Sequence, residues 1–376
     1  MPSLDTKSPG LEAAKAISMI TGVAISPLLG VGAVGAYEYF NSPVARRARL
    51  PWYAQPWFWL PALLVVALVG LKDVVGTALP PGLKKPLDAL ETIENKISGL
   101  IAAGAFVPLV VSIFGHHAGG GARLEDNLIM MAAVDWSTVG NLLLTPFAIV
   151  AFGLVWLVSH AIHILILLSP WGAVDAVLKS ARLFLMALIT GVSFANPYAG
   201  AGLSILIIII AYFLAGWSFR LMICGSVFVW DFLTFRRTRF APDAAANWMF
   251  TARELEGAPI RSYGKLTRAD DGQLRFYYRP WLVLPRRTFT LQPVDHILGR
   301  GWLYPEIVRL DRATGETQNV FVLPPRYRTH EETLARLCGL AEVRDVGLLK
   351  GFKAAWHWLR SLFGGRSKLA PLSSAA

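Results

Sequence analysis

Gly140 to Pro170 reads GNLLLTPFAIVAFGLVWLVSHAIHILILLSP, thirty-one residues without an Asp, Glu, Lys or Arg. A helix rises about 1.5 Å per residue, so such a run exceeds the roughly 20 residues that cross the hydrocarbon core of a bilayer. It is too long for a strand or an ordinary core helix. A chain that contains it is expected to be an integral membrane protein.

The rest of the composition agrees. The chain has 376 residues, of which 54% are hydrophobic and 16% charged, with a mean hydropathy of +0.47. Soluble domains carry about 25% charged residues, and the deficit implies a surface that faces lipid. The net charge is +11. Two basic clusters, Arg46-Arg47-Arg49 and Arg236-Arg237-Arg239, flank apolar runs. Placed there, Arg236, Arg237 and Arg239 are expected to meet lipid headgroups and set topology rather than bind nucleic acid. Cys224 and Cys338 form neither a CxxC pair nor a metal spacing. The first apolar run, Ile17 to Tyr37, is longer than the apolar segment of a secretory signal and reads as a span.

Six spans are expected between residues 13 and 235, after a disordered stretch over residues 1–12. Ala13 to Phe40 is the first; Gly22, Gly30, Gly32, Gly35 and Ser26-Pro27 interrupt it. The glycines suggest close helix packing first, and a broken helix lining a cavity second. Trp57 to Leu79 is the second, ended by Pro80-Pro81-Gly82. Leu83 to Ser98 is amphipathic, with Leu87, Leu90, Ile93 and Ile97 opposite Lys84, Lys85, Glu91, Glu94 and Lys96, and leads into a third span, Gly99 to Phe114. A loop with Gly119-Gly120-Gly121 and a surface helix over Leu128 to Val139 precede the fourth span, Leu142 to Leu168. Trp171 to Asn196 and Ala201 to Leu233 complete the set, separated by Pro197. Pro86 to Gly104 aligns with Ala173 to Gly191 through Asp88/Asp175, Ala89/Ala176 and Gly104/Gly191, which suggests a duplicated hairpin. Lys and Arg placement favours both termini inside.

The composition changes at Arg236. Residues 236–257 read as a basic linker or short helix, and residues 258–345 as a small soluble α+β domain. Its expected strands are Pro259 to Arg268, Gln273 to Val283, Arg287 to Gln292, Trp302 to Leu310 and Gln318 to Leu323, followed by a helix over Glu331 to Leu340 with Thr329 and Glu332 as its capping box. In residues 346–376, Gly347 to Phe363 forms a basic amphipathic helix. Lys350, Lys353 and Arg360 on its polar face are expected to contact headgroups if it lies in the membrane interface; the equal alternative is a helix packed on the β-domain.

Candidate chemistry centres on ionisable residues within apolar runs, which mark functional sites in membranes. His160 and His163 share a helix face. With Asp73 and Arg220 they form the candidate polar path, set against the stronger expectation of structural roles, in which Lys72-Asp73 ends a span and reaches to the headgroups. Two histidines are too few for a metal site. Asp88 and Asp175 read as acids at helix N-termini. No GxSxG, HExxH or Walker A pattern occurs, so an enzyme is the lesser expectation, and neither a catalytic residue, a metal nor a cofactor is expected.

The Pro56 to Leu79 span with Lys72-Asp73, PLDALETIENKISGLIAAGA, SPWGAVDAVLKSARLFLMALITG and Ala215 to Gly225 together resemble a bacterial family of multi-span membrane proteins of uncharacterised function. The resemblance covers about Ala13 to Phe235 and omits the soluble tail. It implies an α-helical polytopic bundle in the bacterial inner membrane and carries over neither activity nor site. The functions expected are transport or lipid handling with a regulatory or docking domain on the cytoplasmic side, or else a scaffold or sensor whose soluble domain binds a partner or headgroup. The expected partners are membrane lipids, with a homo-oligomer left open, and not nucleic acid.

Overall fold

The computed structural model describes residues 9–76, 92, 94–104, 136–169, 172–243, 245–301, 304–310 and 317–345. The chain divides into two compact units, Met1–Met222 and Ile223–Ala376.

The first unit is helical. Its elements are α1 (Pro9–Ile25), α2 (Pro27–Asn41), a short α3 (Val44–Arg47), α4 (Pro56–Gly76), α5 (residues 94–104), α6 (Trp136–Leu168), α7 (Gly172–Ala195) and most of α8 (Pro197–Leu233). Among the described residues three helical stretches are long and apolar enough to cross a membrane: Pro146–Leu168, Ala173–Ala195 and Pro197–Leu233. Ala13–Ile25 and Pro56–Val69 are shorter apolar helices. Most of the expected third span and the Gly119 loop lie outside the described residues. The surface helix expected up to Val139 differs, because α6 already begins at Trp136.

The first span shows both a break and close packing. The helix breaks between Ile25 and Pro27, where proline has no N–H to donate to the preceding turn. Close packing follows in α2: a Cβ on Gly35 would lie 2.1 Å from the Tyr53 carbonyl oxygen, and one on Gly32 would lie 3.2 Å from Leu63.

Ile97, on the apolar stripe of the amphipathic stretch, is 52% exposed, and Leu100, one turn further on, is 73% exposed. Thr92, Asn95, Ser98 and Ala102, spaced three and four apart, are buried, as is Gly99. α7 repeats the arrangement, with Asp175 buried and Val177, Leu183, Phe184 and Phe194 exposed. In water such faces would drive aggregation. In lipid the apolar side is the solvated side, and polar and small side chains hold helices together.

The second unit contains the last turns of α8 and an eight-stranded sheet. The strands are β1 (Asn247–Thr251), β2 (Tyr263–Arg268), β3 (Leu274–Tyr278), β4 (Arg287–Leu291), β5 (His296–Arg300), β6 (Glu306–Leu310), β7 (Thr317–Val322) and β8 (Val343–Asp345). Their order is β4-β3-β2-β1-β7-β6-β5-β8, antiparallel except for β5–β8. Two meanders, β1–β4 and β5–β7, meet where Phe250 pairs with Val322. β3 alternates as expected, with Leu274, Phe276 and Tyr278 buried and Arg275 and Tyr277 half-buried. Phe276, Phe289, Phe321 and Leu266 fill the core with Leu334 from α9 (Glu331–Cys338).

Three corrections follow. β1 lies in the centre of the sheet, within the stretch read as a linker. β5 and β8 occupy stretches given no strand. The N-cap of α9 is His330 rather than Thr329, which takes a left-handed φ of 76°, so the expected capping box does not form. The helix stops at Cys338 because Gly339 adopts the left-handed conformation that closes helices.

Candidate functional site

His160 and His163 come to lie on a buried stretch of α6, and Asn95 of α5 bridges them. Asn95 Oδ1 is 2.9 Å from His160 Nδ1, and Asn95 Nδ2 is 3.0 Å from His163 Nε2. The Arg182 guanidinium of α7 donates to the same His163 nitrogen. That donor fixes the proton positions. Arginine can only donate, so His163 Nε2 accepts and carries no proton. Asn95 must then present its NH2 to His163 and its oxygen to His160, and His160 donates from Nδ1. A neutral His160 is left with Nε2 as an acceptor.

His160 Nε2 is buried and has no hydrogen-bond partner among the described residues. Its residue is 0% exposed. The ring stacks on Trp156, with centroids 5.4 Å apart and planes 13° from parallel. Leaving such an acceptor dry costs about 1–3 kcal/mol, so its persistence points to a use.

The break in the first helix feeds the same cluster. The Ile25 carbonyl accepts from Ser159 Oγ at 2.6 Å and from Arg182 Nε at 3.0 Å. Arg182 therefore joins the broken end of α1 to the histidine pair. α1, α5, α6 and α7 all contribute, and each brings polar groups to one point in an apolar unit.

The other sequence candidates fall elsewhere. Arg220 is half-buried on α8. The side chain of Asp73 and residues Lys350, Lys353 and Arg360 lie outside what is described. Arg237 and Arg239 are exposed just past α8 and Arg236 is partly so; Arg239 donates to the Thr234 carbonyl at 2.7 Å. Among the described residues no three His, Cys, Asp or Glu converge to hold a metal ion. Asn95, Ser159 and Arg182 were missed. For Asn95 a signal was present as a helical stripe of Thr92, Asn95 and Ser98, but it reads as a solvated face until lipid is taken as the solvent.

The sheet unit has its own buried charges. Arg326 Nε donates to Asp231 Oδ2, with side chains 7% and 0% exposed. Arg236 stands 3.9 Å from the other carboxylate oxygen. A second group surrounds Arg261, which is buried at a left-handed φ of 62°. Its guanidinium hydrogen-bonds Tyr304 and faces Glu306 and Cys224. Burial alone would lower its basicity; these neighbours raise it instead. Burial pushes the Glu306 carboxyl up to about 7, against the opposing pull of Arg261 and a hydrogen bond from Asn319. Burial likewise raises Tyr304 to about 12. These groups read as internal ties of the domain, since they are satisfied by one another.

No family model, curated protein or solved structure matches the chain.

Proposed function

We propose that this chain is a multi-pass protein of a bacterial inner membrane that serves transport or lipid handling. The remaining apolar runs complete a six-span bundle with both termini inside, and the sheet unit is its cytoplasmic regulatory or docking domain. The observation that carries the reading is His160 Nε2, without a hydrogen-bond partner among the described residues, on a ring held by Asn95 beside the Arg182–His163 contact. A fixed proton acceptor next to a fixed cation, in apolar surroundings, suits a proton or an acidic group that moves through the bundle. The broken α1 supports it, because irregular backbone at membrane depth is tolerated where it is buried in protein or lines a polar path. Asp73 and Arg220 are proposed as further members of that path.

The test uses the purified full chain in liposomes. Entrapped pyranine reports proton flux under an imposed potassium diffusion potential, and dithionite reports the flipping of NBD-labelled phospholipid. One of these activities is expected, and His160→Ala should remove most of it while the protein stays folded. A folded wild-type chain inactive in both assays would overturn the reading and favour a scaffold or sensor acting through its sheet domain.

A further inference from the structure

The loop between β3 and β4 reads Arg279-Pro280-Trp281-Leu282-Val283-Leu284-Pro285-Arg286-Arg287. Four consecutive apolar side chains at its tip are turned outward: Trp281 is 46% exposed, Leu282 42%, Val283 79% and Leu284 46%. Trp281 and Leu282 both take left-handed backbone angles, φ 54° and 63°, which bulky side chains rarely adopt. Backbone bonds from Leu282 to Arg279 and from Leu284 to Pro280 close the tip into a compact turn. A contiguous apolar knob held outward in an unfavoured conformation marks an interaction site. Arg279, Arg286 and Arg287 ring it and are exposed; Arg286 lies over the Tyr277 ring, 5.0 Å from its centroid.

We infer that this loop inserts its apolar tip into the interface of an anionic membrane leaflet while the three arginines bind headgroup phosphates. Tryptophan and short aliphatic side chains favour that depth, and arginine pairs with phosphate. The bilayer is favoured over a protein partner on two grounds. The ring of charge is wholly positive, which complements an anionic surface. The domain is also continuous with a span: residues from Ile223 to Leu233, about three turns of α8, belong to the same compact unit as the sheet. The exit from that helix carries Arg236, Arg237 and Arg239. The inference rests on reading the apolar helices as spans. It is independent of transport.

The test places one fluorophore at a time on the full chain in nanodiscs, with Cys224 and Cys338, both buried, changed to Ala. Val283→Cys reports the tip. Asp270→Cys, exposed on the β2–β3 turn at the far end of β3, is about 17 Å away along the strand and serves as the off-site control. Phe213→Cys, 77% exposed on α8, reports the span. Nitroxide-labelled lipid should quench position 283 several-fold more than position 270 in discs rich in phosphatidylglycerol. Changing Arg279, Arg286 and Arg287 together to Gln should remove most of that difference, and discs of phosphatidylcholine alone should weaken it. Quenching at 213 with none at 283 overturns the inference while the spans stand. No quenching at 213 overturns the span reading and the inference with it. A blue-shifted emission at 283 that lipid does not quench and that persists in detergent overturns lipid insertion in favour of a protein cover, either a second copy or residues 346–376.

Discussion

Arg326 grips Asp231 twice: its Nε lies 2.6 Å and its backbone N–H 3.3 Å from the same carboxylate oxygen. The two residues are 95 positions apart in sequence. The pair fastens the last turns of α8 to the turn that precedes α9, within one compact unit. Removing one partner of a buried pair strands the other charge, which costs about 3–5 kcal/mol, whereas replacing both with apolar side chains of similar size is often neutral. Asp231→Asn should therefore destabilise the sheet unit by that amount, and Asp231→Leu with Arg326→Met should restore most of it. Denaturant unfolding of the full chain in detergent, followed by accessibility of the buried Cys338 thiol, measures both.

Tyr327 makes a smaller bond with a sharper readout. Its hydroxyl accepts from the Trp248 backbone N–H at 2.8 Å, at the outset of β1. Tyr327→Phe leaves that donor unpaired and should cost about 1–3 kcal/mol. Hydrogen exchange should accelerate at Trp248 more than at β3, whose amides keep their partners.

Glu306 gives the sheet unit a pH dependence of known sign. Its folded carboxyl titrates near 7 and its ordinary value is 4.5, so the folded state holds the proton more tightly than the unfolded chain. Stability from this group is present at low pH and is lost as pH rises between those values. His296 acts oppositely, because burial lowers it and favours its neutral form. The comparison with Glu306→Gln isolates the carboxyl. From about pH 5 to about pH 8, wild type should lose about 1–3 kcal/mol more than the variant. Equal slopes would show that Glu306 stays ionised in the fold.

In the helical unit, Asn95→Leu removes the bridge between the histidines while keeping side-chain volume. Bonds of this kind are worth about 0.6–2 kcal/mol each in a membrane. Two are lost, so the variant should melt at a lower temperature in lipid. If the histidine pair moves protons, it should also lose the flux that His160→Ala removes.

Gly35→Ala tests the packing of α2. The added Cβ would sit 2.1 Å from the Tyr53 carbonyl oxygen, a contact that requires backbone to move. A loss of about 1–3 kcal/mol is expected. Gly22→Ala, which meets nothing within 4 Å, is its control.

The sequence made some of this legible and hid the rest for identifiable reasons. Long uncharged runs announce α6 and α8, because no other structure satisfies their backbone in lipid. β3 announces itself by alternation. β5 does not: four of its five residues, His296 to Gly299, are buried, so no period of two survives, and Gly299 interrupts it. β1 sits between Ala244-Ala245-Ala246 and Arg253-Glu254-Leu255-Glu256, whose composition favours helix, and its place in the sheet comes from pairing with β2 and β7. His160 and His163 stood out as ionisable groups in an apolar run. Asn95 did not, because its neighbours Glu94 and Lys96 make the stretch read as a wetted face.

The Ile25 carbonyl gives the unit a birth order. Its two donors, Ser159 and Arg182, follow it by 134 and 157 residues. A ribosome adding about 5–20 residues per second needs several seconds or more to supply them. Through that interval the broken end of α1 lacks the groups that later close it, and any nascent chain halted before Arg182 carries an unfinished helical unit. Quality control that surveys unpaired backbone would find its target at the start of this chain, although the residues that dismiss the alarm lie near its middle.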